Sequence, residues 1–320
     1  MTPRRADPLP PQLAGEAFRT RDALAAGVSR GKVRAGSVRS KHRGIRSVTP
    51  LTTSRELDAA YARLMPATHA LGSVSAARIW GLPLPRQLED RMETWVTVPS
   101  GIRPPDSASI HSNKLREDLM RIREVRGMRV LSPEVAWCQL YAVLKLDQER
   151  NPQRDVQMQL LAVADAMLTT FERYPGRQFS GKLSNRDALA IMARSWRGRP
   201  GTEALNRVVE LARDDVESPG ESRLRFRITQ AGLPEPVVQH EVYEGWQFIA
   251  RPDLSYPTLR IAIEYEGEHH FTKKQVLEDI QRIERLQELG WIVIRVTYRD
   301  IWNPVRILRR VEGALALRAA

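Results

Sequence analysis

Apolar residues recur at helical spacing in four stretches of the middle of the chain: SRELDAAYARLM, SVSAARIWGL, SPEVAWCQLYAVL and DVQMQLLAVADAML. That spacing predicts helices, and Ser132-Pro133-Glu134 supplies a start signal of cap, proline and first-turn acid. ETWVTVPS and the region around ASIHS read as strands, and RSWRGRPG reads as a connecting loop. Near the N-terminus Phe18, Leu24 and Val28 set the apolar positions of a short helix capped by Thr20 and ended by Gly27. Ser29 can cap a second helix, RGKVRAGSV, and Gly44 begins a short strand, GIRSV.

The last hundred residues are the most regular. SPGESRLRFRITQAGLP reads as a helix from Ser218 to Gly232, closed by a proline. PVVQHEVYEGWQFIARPD holds two apolar runs joined by Glu244-Gly245, a predicted hairpin ending in Arg251-Pro252-Asp253. A turn over Ser255-Tyr256-Pro257-Thr258 leads into LRIAIEYEG, where Leu259, Ile261, Ile263 and Tyr265 share one face and Ala262, Glu264 and Glu266 the other. KKQVLEDIQRIERLQELG is a periodic helix, and WIVIRVT reads as a buried strand. The predicted order is helix, three-strand meander, helix, strand.

A length of 320 residues suggests two or three domains, and 42% hydrophobic content excludes disorder throughout. No apolar run reaches a membrane span and no signal peptide opens the chain, so a cytoplasmic protein is expected. The single cysteine, Cys138, excludes a disulfide framework and lies on an apolar helix face as a core residue. His69 and His111 lack a second ligand at useful spacing and read as structural. The net charge of +12 is uneven: residues 1–50 carry 11 Arg/Lys against 3 Asp/Glu, and residues 217–320 carry 15 against 15. A basic arm beside a neutral module points to a polyanionic partner, DNA. The helix, turn, basic helix and strand of residues 12–50 outline a winged helix-turn-helix, in which Arg30, Lys32, Arg34, Arg39, Lys41 and Arg43 would face DNA. The alternative is a small helical module with a solvated basic face.

Asp253 and Glu264 lie eleven residues apart on segments predicted to be adjacent antiparallel strands. Strands pair about 4.8 Å apart, so carboxylates on one face can reach one ion. Mg²⁺ needs hard oxygen ligands and keeps several waters, so two carboxylates with a carbonyl and a substrate phosphate suffice. The alternative is a strand end emerging into solvent.

FRTRDALAAGVSRGKVRAGSVRSKHRGIRSV resembles the N-terminal winged-helix domain of abortive-infection type IV antitoxins, which implies operator-type DNA binding. RPDLSYP, IAIEYEGEHHF, the D-x-x-R of the long helix and LGWIVIRVT together resemble the PD-(D/E)xK nuclease superfamily, closest to a bacterial branch related to very-short-patch-repair endonucleases. That resemblance covers about residues 217–300. It implies a restriction-endonuclease-like fold, Asp253 and Glu264 as ligands of Mg²⁺ or Mn²⁺, and Glu221, ahead of Glu217, as the auxiliary helix acid. Glu266 stands where the superfamily has a lysine, and a carboxylate cannot stabilise developing negative charge. His269 is the candidate proton carrier in its place; capping of the next helix and phosphate contact are its other readings, and Lys273 is a further candidate. Arg282, with Asp279 one turn before it, reads either as a phosphate-positioning group or as half of a surface ion pair. Arg295 reads as a site or substrate contact or as a charged strand end.

The expectation is thus a multidomain α/β (α+β) chain: a disordered 1–11, a winged helix over 12–50, a mixed, antitoxin-like region over 51–215 and a nuclease-like domain over 217–320. The leading function is a metal-dependent DNA endonuclease. The rival is a non-catalytic DNA-binding regulator of antitoxin type with a degenerate nuclease fold. A homodimer, and on the rival reading a toxin, are the partners expected besides DNA.

Overall fold

The computed structural model describes Pro10, residues 17–34, 45–47 and 50–170, Tyr174, and residues 179–267 and 273–319; Arg34, Ile45 and residues 273–277 are described by their backbone alone. Arg39, Lys41, Arg43 and His269 lie outside the described residues. The chain is mixed α/β and divides into two compact units, Met1–Trp80 with Leu84–Gln139 and Gly81–Pro83 with Leu140–Ala320.

In the first unit β1 (Ala17–Arg19) pairs antiparallel with β2 (Ile45–Ser47), and α1 (Thr20–Ala25) and α2 (Arg30–Arg34) lie between them in sequence. Phe18, Ala23, Val28 and Val33 form a small core there. The cap of α1 is Arg19 rather than the expected Thr20, because β1 runs directly into the helix. Ser29 does accept the Lys32 amide, at 3.3 Å, as a cap for α2. Next come α3 (Ser54–Leu64), β3 (Ala70–Leu71), α4 (Ser73–Trp80), α5 (Arg86–Glu89), β4 (Thr94–Pro99), β5 (Ile110–Leu115), β6 (Ile122–Val125) and β7 (Met128–Leu131). These strands form a five-stranded mixed sheet in the order β5-β4-β3-β7-β6. A capping box between Thr53 and Glu56 starts α3.

Helix α6 (Pro133–Arg150) follows, with Cys138 buried as expected. The second unit continues with α7 (Val156–Leu168), α8 (Arg186–Ser195) and α9 (Thr202–Leu211), the last two flanking the loop read at RSWRGRPG. Helix α10 (Pro219–Gln230) then precedes five strands: β8 (Val237–Val238), β9 (Val242–Glu244), β10 (Gln247–Ala250), β11 (Leu254–Tyr256) and β12 (Ile261–Glu266). Helix α11 (Lys273–Glu288), β13 (Ile292–Thr297), α12 (Tyr298–Trp302) and α13 (Val305–Ala319) complete the chain.

The three-strand meander is therefore corrected. β9 and β10 form the expected hairpin, but as a separate two-stranded sheet, and the main sheet runs β13-β12-β11-β8. The segment read as a turn at Ser255-Tyr256 is the strand β11, paired on both edges, and the turn falls at Pro257–Leu259. Burial explains this: Leu254, Ser255 and Tyr256 all sit inside, so their backbone groups need ladder partners. The alternation read in β12 holds. Ile261 and Ile263 pack with Leu224 and Ile228 of α10 and with Ile307 and Val311 of α13. Ala262 faces the other way, toward Leu286 of α11 and Trp291. Among the described residues no helix is long and apolar enough to cross a membrane.

Candidate active site

The antiparallel register pairs Leu254 with Ile263, so the next pair along sets Asp253 opposite Glu264. Asp253 immediately precedes β11 instead of ending the strand before it, and the Tyr265 amide donates to its Oδ2 at 2.7 Å. Glu264 is only 8% exposed. It belongs to the face of β12 that also carries Ala262, turned toward α11.

A third acid arrives from α10. Ser218 caps that helix, accepting the Glu221 amide at 3.2 Å, with Pro219 in the first turn. The cap leaves the Glu221 carboxylate reaching back, where Oε2 accepts from the Glu217 amide at 3.1 Å and from Gln239 Nε2 at 2.9 Å. Gln239 holds a left-handed backbone (φ 48°), and its own amide donates to the Asp253 carbonyl at 3.1 Å. One residue thus ties the helix acid to the strand acid. Gly220 lets α10 approach this closely, since a Cβ there would lie 2.0 Å from the Tyr265 ring.

The electrostatics follow from burial. Loss of hydration pushes the Asp253 carboxyl well above its ordinary range, and the charges of Glu221 and Glu264 push it further. Burial raises Glu221 to about 7 against its hydrogen bonds. Glu264 is also raised by burial, with Arg282 opposing. Arg282 Nη1 donates to Glu264 Oε1 at 2.5 Å, and Nη2 pairs with Asp279. The D-x-x-R pair of α11 is therefore an ion pair, and it reaches past itself to a site acid. Glu266 pairs with Arg295, which the parallel register of β12 and β13 sets beside Glu264.

Three acids and two arginines therefore meet around β11 and β12, and two links among them had no signal in the sequence. Gln239 bridges Glu221 to the Asp253 segment through a backbone conformation that no local pattern announces. The pairing of Arg295 with Glu266 depends on a strand register set by tertiary packing. Arg30 is exposed on α2 and Lys32 is half-buried, while the side chain of Arg34 lies outside the described residues. His111 donates to or accepts from Glu93 at 2.6 Å and stacks on Trp95, a structural setting.

The chemistry of the donor set tests whether a metal fits here. Asp253 and Glu264 offer hard carboxylate oxygens side by side, the chemistry that Mg²⁺ or Mn²⁺ takes. Among the described residues no three His, Cys, Asp or Glu side chains converge on a single ion position. The fit is thus to a two-carboxylate site that leaves its remaining positions to water and substrate, with Glu221 behind it.

No family model matches this chain, and no solved structure matches it. Two proteins of Mycobacterium tuberculosis, one from strain CDC 1551 and one from strain H37Rv, both described as uncharacterized, are each 34% identical over 125 residues. That match covers 39% of this chain and 44% of each relative, so it spans less than half the length of the curated proteins.

Proposed function

We propose that the chain is a divalent-metal-dependent endonuclease acting on DNA, with a restriction-endonuclease-like core in its second unit and a winged-helix arm at residues 12–50. One observation carries this reading: Glu221, Asp253 and Glu264 are gathered around one strand pair, and among the described residues only Glu264 of the three has an ion-pair partner, Arg282. Acids so placed repel one another, and hydrophobic or amide side chains would serve the fold better. A divalent cation bound by these oxygens would offset that cost. Asp253 and Glu264 would hold Mg²⁺ or Mn²⁺, which when bound polarises the phosphoryl oxygen and lowers the pKa of water.

The residues of the chain have separable tasks. Asp253, fixed through Oδ2 by the Tyr265 amide, would offer its other carboxylate oxygen to the ion. Glu221, held through Gln239, maintains the negative field behind it. Arg282 orients Glu264 and is placed to bind a phosphate oxygen once that acid is otherwise engaged. Arg295 supplies positive charge beside Glu264 from the neighbouring strand, and Glu266 restrains it. The basic arm, through Arg30 and Lys32 with Arg34, Arg39, Lys41 and Arg43, would add affinity that falls with salt.

The antitoxin-type regulator is the second reading, and one observation favours it: Arg282 and Arg295 already neutralise Glu264 and Glu266. A site stabilised by its own arginines needs no ion. The test is nicking of supercoiled plasmid with Mg²⁺ or Mn²⁺ against EDTA, for wild type and Asp253→Ala together. Metal-dependent nicking that disappears in the variant supports the nuclease. Salt-sensitive binding by both proteins, with no cleavage of plasmid or of single-stranded or duplex oligonucleotides, supports the regulator.

A further inference from the structure

The hairpin of β9 and β10 is held against α11 and still leaves its aromatic rings bare. At its root Val242 and Ala250 are buried with Leu286 and Trp291, and beside its turn Glu244 pairs with Arg285 of α11. Between these two anchors Tyr243 and Phe248 oppose each other as a cross-strand pair, edge to face with ring centroids 5.7 Å apart. They are 51% and 53% exposed, and Trp246 at the turn is 100% exposed. Glu241 accepts from the Tyr243 hydroxyl, and residues 245–248, GWQF, carry no charge. The ribbon therefore presents three aromatic rings to solvent, where burial would otherwise be favoured.

The size and kind of this surface select its occupant. Three aromatic side chains bury at most roughly 450–750 Å², short of the about 800 Å² per partner of a stable protein interface. That is an area suited to a few flat groups, and nucleobases stack on exposed aromatic rings whatever their sequence. Trp246 lies seven residues before Asp253, so the two are at most about 25 Å apart along an extended chain, or about seven base steps. Resting on the nuclease reading of the acidic site, we propose that Trp246, flanked by Tyr243 and Phe248, stacks on unpaired or unstacked bases of the strand presented to Asp253 and Glu264.

The test is binding of the full chain, in EDTA so that no cleavage occurs, to fluorescein-labelled oligo(dT) and to a duplex of equal length. Wild type, Trp246→Ala, Trp246→Phe and Phe248→Ala would be compared by anisotropy, with sedimentation to follow the oligomeric state. The expected result is a loss of about tenfold or more for single strands in Trp246→Ala, near-wild-type affinity in Trp246→Phe, an intermediate loss in Phe248→Ala, and duplex binding changed by much less. Equal affinities across the variants, or no binding by wild type, would overturn the proposal. So would a wild-type dimer that Trp246→Ala dissociates, which would make the hairpin a self-association face. Strand binding that depends on Trp246, with no cleavage once Mg²⁺ is added, would retain the stacking surface and refute the nuclease.

Discussion

Each unit of the chain buries acids, and the two sets are treated differently. In the first unit Asp58 and Arg78 are fully enclosed, and nearly every polar atom has a partner. Asp58 accepts from Ser75 at 2.5 Å and from Arg78 at 3.1 Å, and Arg78 also donates to the carbonyls of Leu88, Arg91 and Glu93. The charges balance one to one. Around β11 and β12 of the second unit, among the described residues, Arg282 pairs with Glu264 and Asp279, Arg295 pairs with Glu266, and neither Glu221 nor Asp253 has an ion-pair partner. Within that same unit Asp165 and Arg225 repeat the balanced pattern, at 2.8 Å. A balanced buried pair reads as structure, and a surplus of one sign reads as a place for something to bind.

The largest effect should come from unbalancing the first region. Arg78→Met leaves Asp58 buried without its counter-ion and should cost about 3–5 kcal/mol, measured by urea denaturation. A small effect would mean that this network is not a structural keystone. Next in size is Gly220→Ala, where the new Cβ meets the Tyr265 ring. Overpacking of this kind costs about 1–3 kcal/mol, and the shift should also disturb the strand that carries Glu264.

Removing charge from the second region should act in the opposite direction. Asp253→Asn keeps an acceptor for the Tyr265 amide while relieving repulsion, and should stabilise the fold by about 0.5–2 kcal/mol while abolishing nicking. Destabilisation would mean that Asp253 serves the fold. The same buried acids set the pH profile. Glu221 is raised from 4.5 to about 7, with Asp253 and Glu264 raised as well. Groups raised on folding hold protons that the unfolded chain releases, so their contribution is full below about pH 4.5 and lost as pH rises through 7. Asp58, raised to about 6, adds to the same trend. The melting temperature in EDTA should therefore fall from pH 5 to pH 8, and Mg²⁺ should restore it at pH 8 more than at pH 5.

Much of this arrangement was legible along the chain, and what was not shares a physical cause. Local rules located α10, because Ser218, Pro219 and Glu221 form a start signal, and β12, because Ile261 and Ile263 alternate with Ala262 and Glu264. They failed at β11, a three-residue strand between Pro252 and Pro257 whose composition resembles a turn and whose burial alone makes it a strand. They also missed every partner set by tertiary packing. Arg282 is eighteen residues from Glu264, Arg295 twenty-nine from Glu266, and Arg78 twenty from Asp58. The sequence identifies which residues carry charge, and the packing decides which charges are cancelled.

The central proposal is that Asp253 and Glu264 hold a divalent cation. Calorimetric titration of the full chain with Mn²⁺ near pH 8 tests this directly, for wild type beside Asp253→Asn. The account predicts saturable binding to wild type that is lost in the variant. No binding to wild type, or equal binding to both, would contradict it.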